Sequence, residues 1–187
     1  MNSVDLPELR TPRCVLTLLR PENADLLLAY RLRNAAHLSP WEPAPDPPEG
    51  TMEQVIARKA EASLQAFEAG TAVQFLALDA NTGAMVAACN FTHIVRGPLQ
   101  ACYLGYAVVQ ERQGQGLMHE VVQAGIDHMF DIAKLHRIIA NHMPSNIRSA
   151  ALLRRMGFER EGYARQYLHI AGRWEDMVLN SLINPHA

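Results

Sequence analysis

A strand, a short glycine turn and a long amphipathic helix follow one another in the middle of the chain, and this unit constrains the fold most. The β-rich run 101–109 ends just before Gln113-Gly114-Gln115-Gly116, and apolar side chains recur at helical spacing from 117 to 135. A glycine turn before a helix brings backbone N–H groups and the positive end of the helix dipole up to an anion. The unit therefore predicts a site for a phosphate-bearing ligand.

Two common phosphate-binding motifs do not fit this turn. A nucleoside-triphosphate P-loop needs Lys after its last glycine, but Leu117 follows Gly116. A dinucleotide GxGxxG motif needs a third glycine where this chain has His119. A tight turn whose glycines only supply positive φ stays open as the structural alternative.

The pattern on either side of this unit is typical of one α/β domain. Strands are predicted at 14–19, 73–78, 84–95, 101–109, 136–143, 158–170 and 174–183. Helices are predicted at 22–38, 51–69, 117–135 and from Ser145 or Asn146 to Met156. No internal repeat or linker divides the chain, so we expect a single domain over 1–187 with its core at about 13–183.

Composition excludes several classes of protein. A net charge of −2 leaves no basic surface of the kind that binds nucleic acid. Cys14, Cys89 and Cys102 form no CxxC pair and the histidines form no HExxH motif, so neither a disulfide framework nor a metal site is expected. The first residues lack the apolar core of a signal peptide, and no window reaches the length of a membrane span, which favours a cytoplasmic protein without membrane contact.

Four stretches of the chain resemble the Gcn5-related N-acetyltransferases (GNAT), which bind acetyl-CoA. The phosphate loop of that family, Q/R-x-x-G-x-G/A, matches residues 111–116, with Glu111 where Gln or Arg is usual. The resemblance extends from 13 to 183 and is carried by QGQGLM (113–118), HRIIANHMPSN (136–146), SAALLRRMGFEREGYAR (149–165) and YLHIAGRWED (167–176). Together these stretches are similar to the Rim-type ribosomal-protein-alanine N-acetyltransferases.

This resemblance implies an α/β fold with a mixed, mostly antiparallel sheet and helices on both faces. The sheet would be splayed open between the strand ending near Val109 and the strand starting near His136, with the pantetheine arm of acetyl-CoA in the wedge. The implied cofactor-binding residues are Val108, Val109, Gln113, Gly114, Gln115, Gly116, Leu117, Met118, Asn146 and Ser149. Capping of a helix would by itself also select Asn146.

The catalytic groups are marked less clearly. Many family members carry a Tyr four residues after the position of Ser149 to protonate the leaving thiolate, but this chain has Leu153 there, so the Ser149 hydroxyl is predicted to replace it. Related N-terminal acetyltransferases often carry Glu five residues before the Asn, where this chain has Asn141. The candidates for the base, acting through water, are His142, Tyr106 and His169, and a core or surface role is the alternative for each.

The missing carboxylate favours one kind of acceptor. At pH 7 an α-amine with a pKa near ~8 is roughly 10% neutral, whereas a lysine amine with a pKa near ~10.4 is only about 0.04% neutral. We therefore expect acetyl transfer to the N-terminus of a ribosomal protein that begins with Ala, by a monomer or a homodimer. Two alternatives are a small-molecule amine as acceptor, and a CoA-binding regulatory or ribosome-assembly protein with weak catalysis.

The proline-rich, acidic segment 39–50 offers a means of choosing a basic acceptor. Its Trp and acidic residues, Trp41, Glu42, Asp46 and Glu49, provide charge and aromatic contact for a flexible basic tail. The alternative is a solvated connector whose Trp covers the core.

Overall fold

A computed structural model describes residues 6–43 and 50–186, and its strands form one sheet. The eight strands are β1 (Glu8–Arg10), β2 (Cys14–Leu18), β3 (Val73–Asp79), β4 (Met85–Val95), β5 (Ala101–Val108), β6 (Arg137–Ile139), β7 (Glu159–Ile170) and β8 (Arg173–Ile183). Their order is β1-β2-β3-β4-β5-β6-β8-β7, and each neighbouring pair is antiparallel except β5 and β6. The predicted mixed, mostly antiparallel sheet is confirmed.

Helices cover both faces of this sheet, as predicted. They are α1 (Ala24–Leu38), α2 (Met52–Glu68), α3 (Leu117–Asp127) and α4 (Ile147–Arg155). Cys89 and Phe91 of β4 face Gly125 of α3, whereas Ala88 and Asn90, on the opposite face of that strand, share a cavity with α1. No helix within the described ranges is long and apolar enough to cross a membrane.

β5 and β6 pair only where both strands begin. The parallel register joins Ala101 to Arg137 and Tyr103 to Ile139, while β5 continues to Val108. The chain after β6 turns towards β8 instead, and His142 forms an isolated bridge with Val178. One edge of β5 is therefore open along its second half, which confirms the predicted wedge.

Three elements differ from the sequence prediction by more than two residues. β1 was not predicted, because a three-residue edge strand with two exposed charged residues has no clear apolar alternation. The predicted helix 117–135 ends at Asp127 and widens into a π-helical turn, His128–Ile132, in which Ala133 N donates to His128 O at 3.0 Å. The predicted strand 136–143 is paired as β6 over only three residues, because the wedge removes the β5 partner beyond Ile139.

Gly125 allows α3 to approach β4 closely. A Cβ at this position would lie 2.7 Å from Phe91 Cε2 and 3.2 Å from Cys89 Sγ, and both side chains are fully buried. Ala is more favourable than Gly in a helix by roughly 1 kcal/mol, but overpacking opposes this preference. We expect overpacking to dominate, so that Gly125→Ala lowers the free energy of unfolding by about 1–3 kcal/mol. Urea unfolding measures the change. Gly105→Ala is the control, since its Cβ would meet nothing within 4 Å; a Gly125→Ala protein as stable as wild type would contradict the packing argument.

Candidate active site

A cavity of about 830 Å³ opens beside the glycine turn and the free edge of β5. Its volume lies in the range typical of small-molecule sites. Most of the predicted cofactor-binding residues line it: Val108, Gln113, Gly114, Gly116, Leu117, Met118, Asn146 and Ser149. The structure thus brings together residues from β5, the turn, α3 and the start of α4 around one cavity, called here the first cavity.

Two of the predicted cofactor-binding residues are held by contacts within the protein. Val109 is buried, its N–H donates to Val86 O at 2.9 Å, and its carbonyl accepts from Arg112 N at 3.1 Å. Gln115 donates from Nε2 to Glu111 O at 2.7 Å. Neither residue is part of the lining of the first cavity.

The glycine turn has the geometry that an anion site requires. Gly114 and Gly116 have φ of +71° and +75°, and Gly116 is the N-cap of α3. The guanidinium of Arg13 donates to Gln115 O at 2.9 Å and to Glu120 at 2.7 Å, which anchors the turn to β2 and α3. Because C=O and N–H point in opposite directions in a trans peptide, the N–H of Gly116 points away from Arg13. The first turn of α3 also leaves its N–H groups without intrahelical acceptors.

Positive side chains line the first cavity, and sequence reasoning did not identify them. Arg112, Arg148 and Arg155 all contribute to its surface. Arg148 donates to Gln113 Oε1, and Gln113 Nε2 lies 2.9 Å from His37 Nε2, so Gln113 connects α1 with α4. Polyphosphate is the ligand chemistry that this donor set matches.

A pair of hydroxyl groups lies between β5 and α4. The phenol of Tyr106 is hydrogen-bonded to Ser149 Oγ at 2.7 Å. Burial raises the pKa of Tyr106 to about 12, against a smaller lowering effect of the Ser149 hydrogen bond. Tyr106 therefore carries a proton at neutral pH.

Asn146 caps α4 beside this pair. Its Oδ1 accepts from Ser149 N at 3.0 Å, and its Nδ2 is not used by that cap.

A second cavity of about 710 Å³ meets the first at this hydroxyl pair. Its described lining includes α1, the face of β3 to β5 that α1 covers, and the β7–β8 hairpin. The residues that line both cavities are Trp41, Glu42, Tyr106, Ala107, Asn146 and Ser149. A group bound in either cavity can thus reach the Tyr106–Ser149 pair.

The base candidates separate clearly in the structure. His142 is buried, lines the second cavity, and has Nδ1 2.9 Å from Met143 O. A carbonyl only accepts, so Nδ1 carries the hydrogen and Nε2 of the neutral ring is an acceptor. His169 is exposed and packs against Trp174, with ring centroids 5.4 Å apart, outside both cavities. Asn141 lines the second cavity but offers an amide.

Glu42, in the described part of the acidic segment, contributes a carboxylate to the site. Glu42 and Trp41 line both cavities, whereas Asp46 and Glu49 lie outside the described residues. Among the described lining residues of the two cavities, Glu42 is the only carboxylate. Its Oε2 pairs with Arg31 of α1, and its carbonyl accepts from Ala171 N at 3.3 Å. Glu42, near the start of this segment, is thereby fixed between α1 and the β7–β8 hairpin.

The cysteines are small buried core residues, as predicted. Cys14, Cys89 and Cys102 are at most 1% exposed, and burial raises the pKa of Cys102 to about 12. Within residues 6–43 and 50–186, no three His, Cys, Asp or Glu side chains are grouped as metal ligands would be.

Comparison with known proteins agrees with this geometry. A family model described as "Acetyltransferase (GNAT) domain" matches residues 13–159. The chain is 40% identical over 184 residues to the [Ribosomal protein uS5]-alanine N-acetyltransferase of Escherichia coli K12, covering 98% of this chain and 94% of that protein. The ribosomal-protein-S5-alanine acetyltransferase structure from Vibrio fischeri is similar with a TM-score of 0.89 and 32% identity, over 96% of this chain and 97% of that one. Mycobacterium smegmatis RimJ in complex with CoA-disulfide has a TM-score of 0.83 and 28% identity, over 97% and 88% of the two chains.

Proposed function

Because this chain belongs to the GNAT family of acetyltransferases, we propose that it transfers the acetyl group of acetyl-CoA to the N-terminal α-amine of a ribosomal protein that begins with Ala. The observation that carries this proposal is the junction of two cavities at Tyr106 and Ser149. One cavity suits a phosphate-bearing cosubstrate and the other an acceptor, so the two substrates meet at a hydroxyl pair. Similarity to the Escherichia coli enzyme over nearly the whole chain supports the choice of acceptor.

The cosubstrate is held in the first cavity. The N–H groups at Gly114, Gly116 and the first turn of α3 bind the pyrophosphate, since they meet an anion with no side chain between. Arg148 and Arg155 add positive charge around the phosphates, while Arg112 on the same wall is paired with Asp79 at 2.9 Å. Nδ2 of Asn146 and the free edge of β5 contact the pantetheine arm. A CoA-disulfide bound to the similar RimJ structure supports this assignment.

The Tyr106–Ser149 pair acts as the acid. The thioester supplies the acetyl group, and its sulfur needs a proton once the C–S bond breaks. Ser149 donates that proton and takes one from the phenol of Tyr106, which its raised pKa keeps protonated at neutral pH. Tyr106 on β5 thus supplies the phenol that the sequence lacks at Leu153, a buried core residue of α4.

His142 acts as the base. His142 lines the second cavity, and its Nε2, which the Nδ1 contact leaves as the acceptor, takes a proton from the acceptor ammonium through water and releases it to solvent. The neutral amine then forms the new N–C bond, and as the C–S bond breaks the nitrogen loses a second proton, which returns to the Tyr106 phenolate through Ser149. The balance is one ammonium and one thioester giving one amide, one thiol and one released proton.

A single domain carries both cavities. The match to the family model ends at residue 159, where β7 begins. Strands β7 and β8 nevertheless belong to the same sheet, because β8 pairs with both β6 and β7. We propose that 1–187 acts as one acetyltransferase domain with its core at about 13–183.

Intact-mass analysis tests the proposed function directly. A peptide that begins with Ala and carries a lysine-containing tail is incubated with the protein and acetyl-CoA, beside the same peptide with a blocked N-terminus. We expect one added acetyl group on the free peptide and none on the blocked one. Acetylation of both peptides would indicate lysine transfer, and acetylation of neither with acetyl-CoA binding intact would overturn the proposal.

A further inference from the structure

A buried phenol without a partner lies in the wall of the second cavity. Tyr30 of α1 is 2% exposed, and its hydroxyl has no hydrogen-bond partner among the described residues. The same side chain lines the second cavity. A buried hydroxyl that lacks a partner lowers stability, so its presence at a cavity wall indicates that a bound molecule supplies the partner. Because its pKa is raised by burial and then by Glu42, this phenol is protonated and donates.

Glu42 lies on the same wall and presents a negative charge where the two cavities join. Arg31 binds Oε2 of this carboxylate, and Oε1 is not used by that ion pair. The titratable or charged groups that interact with Glu42 are Tyr30 and Arg31 from α1 and Lys59 from α2, and His142 lines the same cavity. Burial, and then the charge of Arg31, lower the pKa of Lys59. A cationic ligand therefore has a carboxylate to bind within reach of the Tyr106–Ser149 pair.

We propose that Glu42 and Tyr30 form the binding site for the first residue of the acceptor, Glu42 for the α-ammonium and Tyr30 for the carbonyl that follows it. This inference rests on the proposed function and adds the basis of its selectivity. A peptide N-terminus carries an ammonium and a carbonyl on adjacent atoms of its first residue, whereas a lysine side chain or a polyamine presents only the ammonium. Arg31 is a positioning residue, since it holds the carboxylate and does not reach the acceptor.

Glu42→Gln tests the ammonium contact through its pH dependence. At pH 7 the α-amine is mostly charged, so losing a charge-assisted hydrogen bond is expected to raise KM for the Ala peptide about 10- to 100-fold with kcat changed little. At pH 9.5 the amine is mostly neutral, so the KM values of wild type and variant converge. Glu22→Gln is the matched control, because it removes an exposed carboxylate outside both cavities.

Tyr30→Phe tests the carbonyl contact with a variant that is expected to fold. Removing an unpartnered buried hydroxyl leaves the midpoint of thermal unfolding unchanged or raises it. KM for the Ala peptide rises about fivefold to tenfold, as expected for one lost hydrogen bond. A Tyr30 hydroxyl that does not contact the acceptor would leave KM for the Ala peptide unchanged, which would overturn the carbonyl contact.

The outcomes separate this inference from the proposed function. Wild-type transfer to the peptide with both variants unchanged in KM would overturn the acceptor site alone. A Glu42→Gln defect of equal size at pH 7 and pH 9.5 would also overturn it, because the carboxylate would then serve the loop and not the ammonium. No wild-type transfer to the peptide would overturn the proposed function, and the inference with it. Unchanged acetyl-CoA binding in each variant, measured by calorimetry, shows that the first cavity is intact.

Discussion

Replacing Tyr106 with Phe is expected to lower kcat by about 100-fold, because a positioned proton donor contributes typically 10²–10⁴-fold to a transfer reaction. KM for acetyl-CoA changes much less, since the phenol acts on the leaving sulfur through Ser149. Steady-state rates with the Ala peptide, followed by release of free thiol, measure the effect. Tyr163→Phe is the control: it removes an exposed phenol on β7 that binds Asp176 at 2.6 Å, outside both cavities.

The proposed proton path from Tyr106 through Ser149 is also tested by combining substitutions at the two residues. Ser149→Ala is expected to cost about as much as Tyr106→Phe, and the double variant little more, because residues that act as one unit are not additive. Independent effects that multiply in the double variant would contradict a shared path.

The raised pKa of Tyr106, about 12, fixes the sign of the pH dependence. The phenol stays protonated throughout the range in which the α-amine becomes neutral, so kcat does not fall between pH 7 and pH 10 through loss of this donor. A fall in that range that disappears in Tyr106→Phe would show that the phenol titrates there, which would contradict its raised pKa.

The parts of the site that the sequence predicted are those that local chemistry determines. The glycines at 114 and 116 occupy left-handed backbone before a helix, and Asn146 caps the next one, so both could be recognised from neighbouring residues alone. The wedge was predicted from the resemblance to a family and not from the residues, because the point at which β5 and β6 stop pairing has no local signal in either strand.

The sequence predicted Tyr106, Ser149 and Glu42 as separate candidates but did not reveal the contacts between groups that lie far apart in the chain. Tyr106 and Ser149 are 43 residues apart, and the hydrogen bond between them depends on where α4 crosses the free edge of β5. Tyr30 and Glu42 acquire a role only because α1 covers the face of the sheet beside the wedge. A tyrosine in an amphipathic helix is typical of the core, and only its unpartnered hydroxyl distinguishes this one.

Gly114→Ala is expected to weaken acetyl-CoA binding by about 100-fold, which corresponds to losing one or two charge-assisted hydrogen bonds. The protein itself has room for the methyl group, because a Cβ at Gly114 would meet nothing within 4 Å. That open space is on the wall of the first cavity, where the pyrophosphate is proposed to lie, so the methyl group would compete with the ligand. Calorimetric titration with CoA measures the loss.

Gly97→Ala separates this effect from backbone strain. Gly97 has the same φ of +71° and equally open surroundings, but it lies in the β4–β5 turn, outside both cavities. Both substitutions place an L-residue in left-handed backbone and should lower stability by similar amounts, about 1–2 kcal/mol. Only Gly114→Ala should lose CoA affinity, because the phosphates are proposed to bind the N–H groups of that turn alone. Equal CoA affinity in the two variants would mean that the turn is a structural feature and that the phosphates are held by the arginines alone.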